Sequence, residues 1–159
     1  MRRTVGVAWL AACVALAGAL AGCSGGGGGA AVSGPQAELS RSRSVWQGRR
    51  IASYRYTFRH GCFCAPSTVE PVVIEVRNGA SVSVTTLAGD AVDRSLYDGF
   101  DTIDKLFALM QATLDNRGKI GSAVYDSQFG LPTDAFLDPL PMAADDELTI
   151  EVSDFHVLN

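Results

Sequence analysis

Two cysteines spaced by a single residue, Cys62-Phe63-Cys64, follow His60 closely, and they are the residues of this 159-residue chain best suited to chemistry. Thiols at i and i+2 of an extended segment share a face, and they can close a tight disulfide where the backbone bends. Gly61 before the pair and Ala65-Pro66 around its end supply such a bend. A local disulfide between Cys62 and Cys64 is therefore the leading expectation in an oxidising compartment. Its loop is too short to stabilise much through chain entropy, so it would shape the chain locally. With His60 the same residues offer one imidazole and two thiolates, which are soft ligands for Cu(I) or Zn, or else an exchangeable redox pair. No fourth ligand stands nearby in the sequence, and the ordinary role of such a histidine is to end a strand.

The inventory for other catalysis is thin. His60 and His156 lie in strand-like segments, no Gly-x-Ser-x-Gly elbow is present, and no glycine-rich loop precedes a helix to cradle phosphate. No catalytic residue and no cofactor is expected. Fourteen of the 17 acids fall from Asp90 onward, against Arg94, Lys105, Arg117 and Lys119. Asp145-Asp146-Glu147 offers oxygens to Ca²⁺ but lacks the spaced Asp/Asn loop with its central Gly, so a solvated loop is the better account. A hydrolase using acids between Asp126 and Glu147 ranks last among the readings. The formal charge of −4 argues against a nucleic-acid partner, because phosphate binding needs a basic face.

The N-terminus carries a different chemistry. Arg2 and Arg3 precede an uncharged run from Val5 to Leu20, which ends in Leu20-Ala21-Gly22-Cys23 followed by a serine and five glycines. This arrangement resembles the lipobox of bacterial lipoproteins. The resemblance implies cleavage between Gly22 and Cys23, a diacylglyceryl thioether on Cys23, and anchoring in a membrane, each buried CH₂ contributing about 0.8 kcal/mol. A plain membrane helix or a soluble secreted protein is the weaker account of the same run. The expected location is the cell envelope: the outer membrane facing the periplasm in a Gram-negative cell, otherwise the outer face of the cell membrane. Removing Arg2 and Arg3 leaves 11 basic residues against 17 acidic ones, a formal charge of −6. Residues 1–22 thus read as a signal peptide, and 23–36 as the lipidated cysteine and a Gly-rich tether of roughly 20 Å reach. Residues 37–159 read as one domain, a size that buries a sizeable core.

Within that domain, Ala37–Ile51 reads as a helix touching its surroundings through Leu39, Val45, Trp46 and, at its end, Ile51. Six arginines lie between Arg41 and Arg59; a solvated face explains them better than attraction to anionic headgroups. Tyr54, Tyr56, Phe58 and His60 alternate with polar residues on one face of a strand. Val72, Ile74 and Val76 mark a second strand, and Val82 and Val84 a third, with Asn78-Gly79 between them. A three-residue loop, Arg77-Asn78-Gly79, would pair Val76 with Ala80, Ile74 with Val82 and Val72 with Val84, keeping the valines on one face. A type I turn with Gly79 at the left-handed position is therefore expected. Asp101-Thr102 caps a helix that runs through Ile103, Leu106, Phe107, Met110 and Leu114 and stops at Asn116-Arg117-Gly118. Ala123-Val124-Tyr125 suggests a strand, Gly130-Leu131-Pro132 a turn, and Leu148, Ile150 and Val152 a last strand with a bulge near Ser153. The order helix, three strands, helix, two or three strands predicts an α+β fold: an antiparallel sheet of about five strands with two helices packed on one face.

Several short features lie together in this order: Trp46, Tyr54-x-Tyr56, Cys62-x-Cys64, the strand after Pro71 with its Asn78-Gly79 turn, Tyr125-Asp126 before Phe129-Gly130-x-Pro132, and Asp145-Asp146-Glu147. Across about residues 40 to 157 the chain resembles a family of bacterial lipoproteins catalogued as a domain of unknown function. The resemblance implies the architecture and the envelope address, and no activity. The reading that follows is a lipid-anchored binding or structural module with the membrane, and an envelope protein, as partners. Its alternative is a thiol-based redox or metal-handling protein using His60, Cys62 and Cys64.

Overall fold

A computed structural model describes residues 34–63, 69–143 and 145–159. The cleavage site at Gly22 and Cys23, nearly all of the tether, and Cys64 lie outside the described residues. In chain order the elements are α1 (Pro35–Arg49), β1 (Tyr54–Gly61), β2 (Val72–Arg77), β3 (Ala80–Thr86), a 3₁₀ turn (Arg94–Tyr97), α2 (Ile103–Asp115), β4 (Lys119–Tyr125), β5 (Pro132–Asp138) and β6 (Leu148–Val157). The strands make one sheet in the order β3-β2-β1-β6-β5-β4, antiparallel throughout.

The α+β class and the element order are those expected, but the sheet has six strands rather than about five. The less visible one is β5, which begins on Pro132 and carries Asp134 and Asp138, residues that weaken a strand signal. Proline is tolerated at the first position of a strand, and Pro132, Ala135 and Leu137 still bury the inner face. The first helix also begins earlier than expected, at Pro35 inside the supposed tether. The fixed φ of proline and its missing N–H suit the first helical turn. The helix ends on Arg50 in the left-handed region.

The core lies between the sheet and the two helices. Tyr54, Tyr56 and Phe58 of β1 are buried, as are Val72, Ile74 and Val76 of β2 and Ile150 and Val152 of β6. Helix α2 lowers Ile103, Leu106, Phe107 and Met110 onto this face, and Thr102 Oγ1 accepts the Lys105 N–H as its N-cap. Helix α1 contributes Leu39 and Trp46, whose ring meets Tyr54 edge-on at 5.3 Å and Phe155 at 5.9 Å. Val45 is 39% exposed and is not a core contact of the kind expected for it.

The β2–β3 hairpin differs from the expected register. Arg77 pairs with Ala80, so the loop is the two residues Asn78 and Gly79, with φ of 51° and 79°. Asn and Gly both enter the left-handed region readily, and a two-residue turn of this kind matches the twist of its strands. The parity that favoured a longer loop is restored by a bulge: Val76 faces Ser81, Glu75 faces Ser83, and Val82 is the extra residue, 47% exposed. Val84 returns to the core opposite Ile74. The expected bulge in β6 falls at Asp154 and Phe155, where the register with β1 shifts between Arg55 and Thr57 and Asp154 takes φ 49°.

Candidate functional site: the helix-free face of the sheet

Both helices cover one face of the sheet, so alternate residues of its strands form a second face, polar along β1 and apolar at Val73, Val124 and Phe136. On β1 these are Arg55, Thr57 and Arg59, lying between the buried aromatic residues. Across the sheet's central seam Arg59 faces Glu151, and their side chains meet at 2.9 Å. Thr57 Oγ1 donates to Asp154 Oδ2 at 3.1 Å. The left-handed backbone at Asp154 brings an additional carboxylate to this position, where a regular strand would alternate it away. On β2, Arg77 Nε meets Glu75 Oε1 at 2.7 Å.

Two shallow depressions share Thr57 and Asp154. One, of about 560 Å³, is lined by Arg59, Asp134 and Glu151 together with the apolar Pro71 and Leu87; the other, of about 210 Å³, by Arg55, Val73 and His156. Arg59 and Glu151 are each about half exposed, so their pairing is worth little and can be exchanged for a ligand's groups. Arg55 is exposed and makes no ion pair or hydrogen bond to a described residue through its guanidinium. The arrangement offers donors and acceptors of both signs on a rigid platform, which suits recognition by contact.

The residues singled out in the sequence are placed differently. His60 lies on the buried face, 7% exposed, with its ring stacked on Phe100 at 5.0 Å and walled by Phe58 and Tyr97. Its Nδ1 has no hydrogen-bond partner among the described residues, and burial lowers its pKa below the ordinary histidine value. Cys62 follows the end of β1, partly buried, while Cys64 is outside the described residues. Among the described residues no three His, Cys, Asp or Glu side chains are grouped to hold a metal ion.

Of the acids from Asp126 to Glu147, Asp126 and Asp146 hold the backbone of their own loops, while Asp134 and Asp138 lie on β5. Asp126 Oδ1 accepts the N–H groups of Gln128 and Phe129, and Asp146 Oδ2 accepts that of Leu140 at 2.6 Å. Asp145 and Glu147 are exposed. Sequence reasoning did not nominate Arg59, Glu151 or Asp154. The alternation of Arg55, Thr57 and Arg59 was a visible signal, but which strand would face them depended on the β1–β6 pairing, which no local pattern reveals.

Among the described residues no helix is long and apolar enough to cross a membrane. No curated protein and no solved structure matches the chain. A sequence family does match, over residues 38–157, a span that runs from the first turns of α1 to the last residue of β6. With three quarters of its length and every element of the sheet inside that match, the chain belongs to the family described as Family of unknown function (DUF6174).

Proposed function

We propose that this is a lipid-anchored bacterial cell-envelope protein that acts by contact, holding an envelope protein partner on the helix-free face of its sheet. The observation that carries the reading is the pair of shallow depressions that share Thr57 and Asp154, with the exchangeable Arg59–Glu151 pair beside them and Arg55, which has no ion pair among the described residues. The lipobox-like Leu20-Ala21-Gly22-Cys23 supports the anchor, and the glycines after it would let the domain reach away from the membrane. Cys62 and Cys64 fit as a local disulfide that ties the chain where it leaves β1.

The test has two arms. Intact mass of the protein extracted from its native membrane, with and without alkylation under denaturing and non-reducing conditions, should give a chain starting at Cys23 with added lipid and no alkylatable thiol. An unlipidated chain that retains residues 1–22 would refute the anchor. The doubly reversed variant Arg55→Glu with Arg59→Glu should fold normally yet lose a co-purifying envelope protein; unchanged recovery would refute the face.

One observation favours a second reading, a thiol-based redox or metal-handling protein. His60, whose Nδ1 has no hydrogen-bond partner among the described residues, stands two residues before Cys62. Under that reading Cys62→Ser with Cys64→Ser abolishes the cellular phenotype of a protein that stays folded, and a fully functional double variant ends it.

A further inference from the structure

The two edges of the sheet are treated differently. Along β3 the outer edge is occupied: Thr85 bridges to Ala91, the Thr86 N–H donates to the Asp90 carbonyl at 2.8 Å, and the Val92 N–H donates to the Val84 carbonyl at 3.1 Å. The Arg94 guanidinium closes the same edge on the Ser81 carbonyl. Along β4 nothing of the kind is found among the described residues: β4 pairs with β5 on one side, and no backbone hydrogen bond leaves its other side. The stretch Ile120-Gly121-Ser122-Ala123-Val124-Tyr125 holds no charge and no proline, the devices that usually blunt an edge. It is flanked by one cation, Lys119, and one anion, Asp126.

We infer that β4 pairs antiparallel with β4 of a second copy of this chain, joining two six-stranded sheets into one across a two-fold axis. Free N–H and C=O groups on an edge select an extended strand as occupant. Two observations select this strand. Antiparallel self-pairing about Ala123 sets Asp126 of each copy against the Lys119–Ile120 end of the other, and the irregularity at Gly121, between Ile120 and Ser122, takes up the one residue that brings Lys119 opposite Asp126, so the flanking charges complement each other twice. With Ala123 opposite its mate, Val124 of the second copy lies opposite Ser122, and Ser122 is the register partner of Phe136. Val124 is 56% exposed and Phe136 39%, and they belong to the same helix-free side. The pairing therefore places Val124 of each copy on the far side of Ser122 from Phe136 of the other, extending over the seam a surface that each copy alone leaves to water. It uses the edge of the sheet and does not depend on what the polar face holds.

Sedimentation of the purified full chain in mild detergent at micromolar concentration tests the inference. The expected result is a dimer whose dissociation constant weakens at least about tenfold in Val124→Lys, a charge placed on an open edge, while Val82→Lys on the covered β3 edge leaves it unchanged. Ser122→Lys replaces Val124→Lys if the latter loses the wild-type circular dichroism. A monomer throughout, a dimer indifferent to the β4 charge, or equal weakening by Val82→Lys would each overturn the pairing.

Discussion

The phenol oxygen of Tyr54 accepts the backbone N–H of Ile103 over 3.0 Å, fastening a middle strand of the sheet to the first residue of α2. Tyr56, two residues on, donates to the Phe100 carbonyl at 2.9 Å, so one face of β1 secures both ends of the segment leading into that helix. Burial keeps both phenols well above the ordinary tyrosine pKa and hence neutral.

Tyr54→Phe would strand a buried N–H at the helix start and should cost about 2 kcal/mol. Tyr125 supplies the contrast. Its hydroxyl is buried without a partner among the described residues, and its pKa is pushed up to about 12, chiefly by burial. Tyr125→Phe should therefore leave stability unchanged or raise it slightly. Urea unfolding of the two variants checks the pair; equal losses would contradict the argument.

His60 should make stability depend on pH. Its folded pKa is lowered by burial, so the unfolded chain takes up a proton first as pH falls. The contribution is fully present above the unfolded value of about 6.5 and is lost as pH falls from there to the folded pKa. Below the folded pKa no further loss comes from this group. Replacing His60 with Leu among Phe58, Tyr97 and Phe100 should flatten the thermal stability profile across that window.

Gly130 takes φ 79°, and a Cβ there would meet the Ser42 carbonyl oxygen at 2.5 Å and Val45 Cβ at 2.8 Å. Both contacts belong to α1, which lies directly over the Asp126–Gly130 turn. Gly130→Ala combines left-handed strain with a backbone collision and should cost about 3 kcal/mol. Thermal unfolding would show it, together with a disturbed Trp46 fluorescence.

Gly79 takes the same φ but has open space around it. Gly79→Ala should accordingly cost only about 1 kcal/mol. A loss as large as that at Gly130 would mean the hairpin is not the two-residue turn described.

Elements set by local chemistry were legible from the residues. The Thr102 cap, the spacing of Ile103, Leu106, Phe107 and Met110, and the β1 alternation were all visible before the fold. The hairpin register was not, because Val82 and Val84 seem to demand one face until a bulge removes Val82 from it. The strand β5 escaped because its burial comes from neighbours on both sides rather than from its own composition. The polar face escaped for a related reason: Arg59 and Glu151 are 92 residues apart, and only the topology brings them together.

That topology also governs how the chain can be made. The seam at the middle of the sheet joins its first strand to its last, Tyr54 to Val157 and His60 to Ile150. β6 is made after β1 to β5, so a growing chain that lacks it has nothing to join β1 to β5. Contacts this distant in sequence form slowly, and here they cannot form at all until synthesis has reached the final strand. The central seam is thus the last joint of the sheet that synthesis makes possible, and the sheet closes only once β6 is available.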